Sequence, residues 1–260
     1  MTKEKSKGLF VIIKGVKSMR KKIAIPIIDT DETVKIENVT KRYGKGFANS
    51  VTAVDGVSLT IKKGEFAAIV GTSGSGKSTL MHMIGGVEKP TSGKIRICGH
   101  DIYEMDDNTL SAFRCREIGM VYQFFNLIPV LNLEENIAFP QIAAGEKPDF
   151  EKSAQILQKL NLGKKGDMYP GTLSGGMQQR VAIGRAIANE PSLILADEPT
   201  GNLDSKNSKE VIDLLESLCK TMNRTLIIVT HDERIAERAD RIIRIEDGKI
   251  VSDTRKETAV

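Results

Sequence analysis

The chain has 260 residues, of which 40% are apolar and 28% charged, the balance of an ordinary globular protein with enough material for one large α/β domain or two small ones. No apolar run approaches the roughly 18 residues of a membrane-spanning helix, because the stretch from Ile23 to Ile28 is short and Pro26 interrupts it. Cys98, Cys115 and Cys219 lie far apart and form no C-x-x-C pair, which argues against a metal site and for reduced thiols.

The net charge of +4 is unevenly placed: residues 1–22 carry eight basic side chains against Glu4 alone, a local +7 that leaves −3 for the remainder. The body therefore gives no general case for nucleic-acid binding. Residues 1–32 are expected to form a basic, poorly ordered extension, with contact to an anionic membrane surface as the alternative. Pro26-Ile27-Ile28-Asp29 stands where a secretory signal would place small residues, so no cleavable signal is expected.

Taken in chain order, Thr33 to Asn38 alternates apolar and polar residues and predicts a half-buried strand. A turn-rich stretch from Tyr43 to Gly46 leads to a second alternating run, Val51 to Ile61, and Lys62-Lys63-Gly64-Glu65 turns into the apolar run Phe66 to Val70. These elements predict an antiparallel layer that feeds a parallel core.

Gly71 to Thr79 then reads GTSGSGKST and contains G-x-x-x-x-G-K-[ST] in full, with an apolar helical pattern, Leu80 to Ile84, behind it. Strand, glycine loop and helix are the context this motif requires. Its glycines let successive backbone N–H groups turn inward around an anion, and the helix N-terminus adds partial positive charge. Gly71, Ser73, Gly74, Ser75, Gly76 and Thr79 are the expected cradle. Lys77 would reach the β- and γ-phosphates, and the Ser78 hydroxyl would ligate Mg²⁺.

Lys94 to Cys98 predicts a short strand and Ile118 to Gln123 a core strand. From Asn126 to about Gly171 the pattern becomes helical, with Ala154, Leu157 and Leu160 as a stripe, so a helical subdomain is expected at about 107–175. Leu193 to Asp197 predicts a buried strand, Ser208 to Thr221 a helix, and Thr225 to Thr230 another buried strand. Asp247-Gly248 reads as a type I′ turn of a closing hairpin.

Two further stretches carry chemistry. Asp197 and Glu198 end an apolar strand, where ligands sit in open α/β sheets. Asp197 would hold the Mg²⁺ shell and Glu198 would face a water in line with the γ-phosphate. The competing reading makes Glu198 the N-cap acid of a helix begun by Pro199. Leu173-Ser174-Gly175-Gly176 opens a helix running to about Asn189 and offers a second anion nest by the same physics. One lysine and one carboxylate pair accompany two nests. Either the second folds close to the first, or it serves a nucleotide on another copy.

The loop GTSGSGKST, the stretch LSGGMQQR and the strand LILADEP, in this order and spacing, resemble the ATP-binding subunit of an ABC transporter over roughly residues 33–255. The resemblance implies a P-loop NTPase (RecA-like) α/β domain at 33–260, with a parallel core, an antiparallel β layer and a small helical subdomain. It implies ATP and Mg²⁺ as ligands. It also implies a head-to-tail pair in which Ser174, Gly175 and Gly176 of one copy close over the ATP held by the other. Tyr43 resembles the aromatic that stacks on adenine, and Gln123 the glutamine that contacts Mg²⁺ and the attacking water. Asp204 resembles the aspartate of the loop joining the two sites, and His231 the switch histidine at the γ-phosphate. His82 and His100 match nothing and are expected to be structural. EPTGNLD (Glu198 to Asp204) and YQFFNLIP (Tyr122 to Pro129) are similar to the group handling macrolide export, lipoprotein release and antimicrobial-peptide efflux. That implies a peripheral ATPase on the cytoplasmic face of the membrane with a separately encoded permease, or else an ATPase that relays force or a signal without transport. Met177 departs from the glutamine common after LSGG, and the head before residue 33 exceeds the usual start, with Met19 as a candidate initiator.

Overall fold

The computed structural model describes residue 26 and residues 28–44 and 50–256; the basic head expected at 1–32 therefore lies mostly outside the described residues. Two sheets form the body. The first is antiparallel, in the order β2-β1-β4-β5, from β1 (Glu32–Tyr43), β2 (Val51–Lys62), β4 (Ser92–Ile97) and β5 (His100–Asp101). The second has the order β10-β9-β3-β8-β7-β6. It contains β3 (Phe66–Val70), β6 (Ile118–Val121), β7 (Leu193–Asp197), β8 (Thr225–Val229), β9 (Arg241–Glu246) and β10 (Lys249–Arg255). All its neighbours pair in parallel except β10, which closes the hairpin on β9.

The apolar runs of β3, β7 and β8 are buried on both faces, as a parallel sheet covered on both sides requires. Ala67, Ile69, Leu193, Leu195, Ile227 and Val229 pack toward the antiparallel layer and helix α1 (Lys77–Ile84). Their neighbours Phe66, Ala68, Ile194, Ala196, Leu226 and Ile228 face a second core built with helices. Those helices are α3 (Leu133–Ala143), α4 (Phe150–Lys159), α5 (Gly175–Ile187) and α6 (Ser205–Thr221). Side-chain alternation along each strand thus divides the interior into two cores.

The region expected to be helical at 107–175 contains α2 (Asp107–Glu117), α3 and α4, but β6 within it hydrogen-bonds to β7 as the edge of the core sheet. The helical insertion is therefore discontinuous with the helix before that strand. The buried stripe of α4 is Ser153, Ile156 and Leu157, continued by Leu160, while Ala154 sits half-buried beside it. β1 continues past Asn38, where the expected strand stops, because Asn38 takes a left-handed conformation (φ 48°) at a bulge. The turn Asp247-Gly248 has positive φ at both positions, 46° and 77°, as a type I′ turn demands. The last helix, α7 (Glu233–Ala236), is a single turn.

Candidate active site

Parallel pairing puts the carboxyl ends of β3, β6, β7 and β8 on one edge of the sheet. The segment after each of them reaches the same cleft. This cleft, of about 690 Å³, is lined by the glycine loop and by Gln123, Glu198 and His231.

The glycine loop keeps its shape through close backbone approach. Gly71, Gly74 and Gly76 have φ values of 153°, 79° and 102°. A Cβ on Gly71 would lie 2.1 Å from the Ile245 carbonyl oxygen, and one on Gly76 2.1 Å from that of Ala53. Only glycine fits there. Gly76 then caps α1 without a side-chain contact, leaving the helix's first N–H groups directed at the cleft. The Lys77 ammonium donates to the carbonyls of Gly71 (2.9 Å) and Thr72 (2.7 Å). The Ser75 hydroxyl is buried and has no hydrogen-bond partner.

Asp197, at the end of β7, accepts from the Ser78 hydroxyl at 3.1 Å. Burial raises its carboxyl pKa above the usual carboxylate value, against the Ser78 hydrogen bond and the electrostatic pull of neighbouring His82 and Lys77. A half-buried carboxylate beside a hydroxyl, with the Gln123 amide lining the same cleft, is an oxygen donor set that suits Mg²⁺. His82, expected to be structural, stands 3.8 Å from the other Asp197 oxygen. Its signal was in the sequence: Ser78 and His82 are four residues apart on α1 and share its face.

Glu198 does not cap a helix. It adopts a left-handed conformation (φ 44°), its N–H donates to Val229 (2.9 Å), and the chain turns through Pro199 and Thr200 before α6 begins at Ser205. Such a φ at a non-glycine residue stores roughly 1 kcal/mol or more of strain. It directs the carboxylate at His231, whose Nδ1 lies 2.8 Å from Glu198 Oε1. Gln123 lies two residues beyond β6 rather than on its end, because the strand stops at Val121. Gly201 makes room for it, since a Cβ there would meet the Gln123 amide at 2.7 Å.

The remaining candidates lie outside the cleft's lining. Tyr43 is exposed at the end of β1. Its hydroxyl donates to Glu88 (2.7 Å), and the Lys41 ammonium stands 5.1 Å from its ring centroid. Burial and the Glu88 carboxylate push its phenol pKa up. Ser174 caps α5 through a long contact, 3.4 Å, from the Met177 N–H. Gly175 faces Leu203 and Phe125, and Gly176 faces Asn207. Asp204 is the N-cap of α6 and accepts from Asn207 N–H at 2.8 Å. His100 binds the Pro26 carbonyl through Nε2 (2.8 Å).

A family model described as ABC transporter matches residues 54–201, more than half of the chain. The chain belongs to the ABC transporter family. It is an ATP-binding cassette and an ATPase of the α/β P-loop type. A macrolide export ATP-binding/permease protein of Hyphomonas neptunium is 47% identical over 88% of this chain and 36% of its own length. A lipoprotein-releasing system ATP-binding protein of Geobacter metallireducens is 43% identical over 85% of this chain and 98% of its own length. The cassette thus spans about a third of the macrolide-export relatives it matches and nearly the whole of the lipoprotein-release one. A solved dimeric ATP-binding cassette in a post-hydrolysis state, bound to ADP and Pi, superposes with a TM-score of 0.79. It is 40% identical, and the match covers 86% of this chain and 99% of that one.

Proposed function

We propose that this cassette works as a head-to-tail pair of copies that closes on ATP, hydrolyses it, and drives a membrane permease. The observation that carries the reading is the separation of the two anion nests: Lys77, Glu198 and His231 share one cleft, whereas none of Ser174, Gly175 or Gly176 lines it. A second nest outside the cleft of its own chain's lysine serves a nucleotide held elsewhere, and a second copy supplies that nucleotide. The dimeric cassette similar to this chain supports the arrangement.

Within one site, the N–H groups of Ser73 to Thr79 and the Lys77 ammonium bind the phosphates, and the buried Ser75 hydroxyl gains a partner there. Tyr43 offers its ring to the adenine. Ser78, Asp197 and Gln123 would hold Mg²⁺, which when bound neutralises phosphate charge. Glu198 orients the attacking water and takes its proton, and His231 fixes the carboxylate and meets the γ-phosphate. Asp204, on the turn after Glu198, faces the other copy. Closure is favoured while the γ-phosphate bridges both nests and is lost once it is cleaved.

The permease's seat is a groove of about 480 Å³ between the core sheet and the helical region, lined among others by Arg114, Tyr122, Phe139 and Arg185 and by no acidic residue. Phe124, 69% exposed on the loop that carries Gln123, and Val87 flank that region. No helix among the described residues is long and apolar enough to cross a membrane, and we assign the cassette to the cytoplasmic face through this contact. The names of its relatives support substrates such as macrolides or lipid-linked proteins, moved outward or extracted from the bilayer.

The test is Glu198→Gln, which keeps the site's shape and removes the base. Sedimentation with saturating ATP should show a lasting dimer, and phosphate release should fall by about a thousandfold. Turnover at the parent rate would remove Glu198 as base. Single particles at saturating ATP, with and without the permease, would remove the pair.

A further inference from the structure

The loop from Tyr122 to Asn126 leaves the sheet edge with no strand or helix to receive its backbone carbonyls. Such groups need donors from elsewhere. Gln179 Nε2 donates to the Tyr122 carbonyl (3.2 Å) and Asn202 Nδ2 to that of Gln123 (3.0 Å). The Arg185 guanidinium takes the last two, with Nη2 on Phe125 (3.0 Å) and Nη1 on Asn126 (2.6 Å). Three side chains therefore hold four of the loop's five carbonyls. Two of them, Gln179 and Arg185, project from α5, the helix that Ser174 caps. The third stands on the turn between Glu198 and Asp204.

These ties are costly ones. Gln179 is fully buried and its Oε1 has no partner. Burial pulls the Arg185 pKa down, and among the described residues no carboxylate is ion-paired with it. A half-buried cation without a counter-anion is held at a cost, and the fixed guanidinium fork compensates by gripping two carbonyls at once.

We infer that Arg185 is a positioning residue which, with Gln179 and Asn202, locks the Tyr122–Asn126 loop to the signature helix, so that Gln123 shifts whenever Ser174 engages the other copy's nucleotide. Each copy thereby carries a rigid link from the ATP it touches across the pair to the ATP it holds itself. The inference rests on the role proposed for Gln123 and adds the route by which that residue is moved.

A double-mutant cycle separates this from a structural role, since residues acting through one another are non-additive. Arg185→Met should leave ATP affinity of the single chain within about twofold and lower kcat about tenfold; in a Gln123→Ala background the same change should cost less than about twofold. Hydrogen exchange of the 122–126 amides should rise in Arg185→Met by about fivefold or more. Equal kcat losses in both backgrounds overturn the link while leaving Gln123's role intact. If Gln123→Ala alone keeps the parent kcat, that role falls and takes the link with it, a pattern distinct from the first. Should Arg185→Met fail to fold, Asn202→Ala, at an exposed position, is read in the same cycle. About a threefold loss with Gln123 present and none without it is then expected, and equal losses overturn the link.

Discussion

Helices α1 and α5 both begin at glycine-rich turns, and they present their first N–H groups by different routes. Before α1, two positive-φ glycines, Gly71 and Gly76, wedge the loop against the carbonyls of Ile245 and Ala53, and Lys77 folds back over it. Before α5, Ser174 enters in extended conformation, its capping contact is long, and Gly175 already belongs to the helix's first turn. No acidic residue occupies that first turn. Bare helix N-termini contribute only roughly 0.3–1 kcal/mol toward an exposed anion. The first nest adds a lysine and a rigid cradle to that small term, and the second adds only the Ser174 hydroxyl. On the proposed pairing, that weakness serves a surface that takes up and releases a phosphate in every cycle, because a strong second site would hold the pair shut after hydrolysis.

The sharpest way to break the contrast is a methyl group in the first nest. Gly76→Ala adds a Cβ at 2.1 Å from the Ala53 carbonyl, on a residue with φ 102°, so the backbone of the glycine loop or of β2 must move. Equilibrium unfolding should show a loss of about 3 kcal/mol or more, with nucleotide binding lost in parallel. A loss under about 1 kcal/mol would mean that the cradle is pliable and that its rigidity explains nothing.

Ser174→Ala should act on the second nest alone. Loss of the cap costs about 1 kcal/mol of stability. ATP affinity of the single chain should stay unchanged, while the ATP-dependent pairing constant of the Glu198→Gln protein falls about tenfold through a lost hydrogen bond to a charged group. A fall in single-chain affinity of the same size would put both nests on one nucleotide within one chain.

How far the sequence anticipated this contrast follows from what each feature depends on. β3, β7 and β8 were legible almost to the residue, because a strand buried on both faces is a continuous apolar run between turn residues. The glycine loop was legible because its chemistry is local, as was the type I′ turn at Asp247-Gly248. The extension of β1 to Tyr43 was not: Asn38 reads as a strand end, and only the register of β2 and β4 shows that it is a bulge. Nor was the set of side chains around Gln123, since Gln179, Arg185 and Asn202 meet the loop across 57 to 79 residues of sequence. His82 falls between these cases, with helical spacing that pairs it with Ser78 and a tertiary neighbour, Asp197, that no local pattern supplies.

The smallest effect, and the most discriminating, is expected from the same methyl placed in the second nest. A Cβ on Gly175 would meet Leu203 and Phe125 at 3.4 Å, ordinary van der Waals contact, and the residue is already helical. Gly175→Ala should therefore leave unfolding free energy unchanged or raise it by up to about 0.5 kcal/mol, as alanine favours helix over glycine. The added methyl nevertheless presses on Leu203 and Phe125 beside the nest, so if this nest takes the other copy's nucleotide as proposed, pairing in the Glu198→Gln background should weaken about threefold with single-chain ATP affinity intact. One methyl would then unfold the first nest and merely loosen the second, because the first is braced by its own backbone and the second waits for its counterpart. If Gly175→Ala instead destabilised the chain as Gly76→Ala does, the two nests would be equally braced, and the weakness argued for the second would have no physical basis.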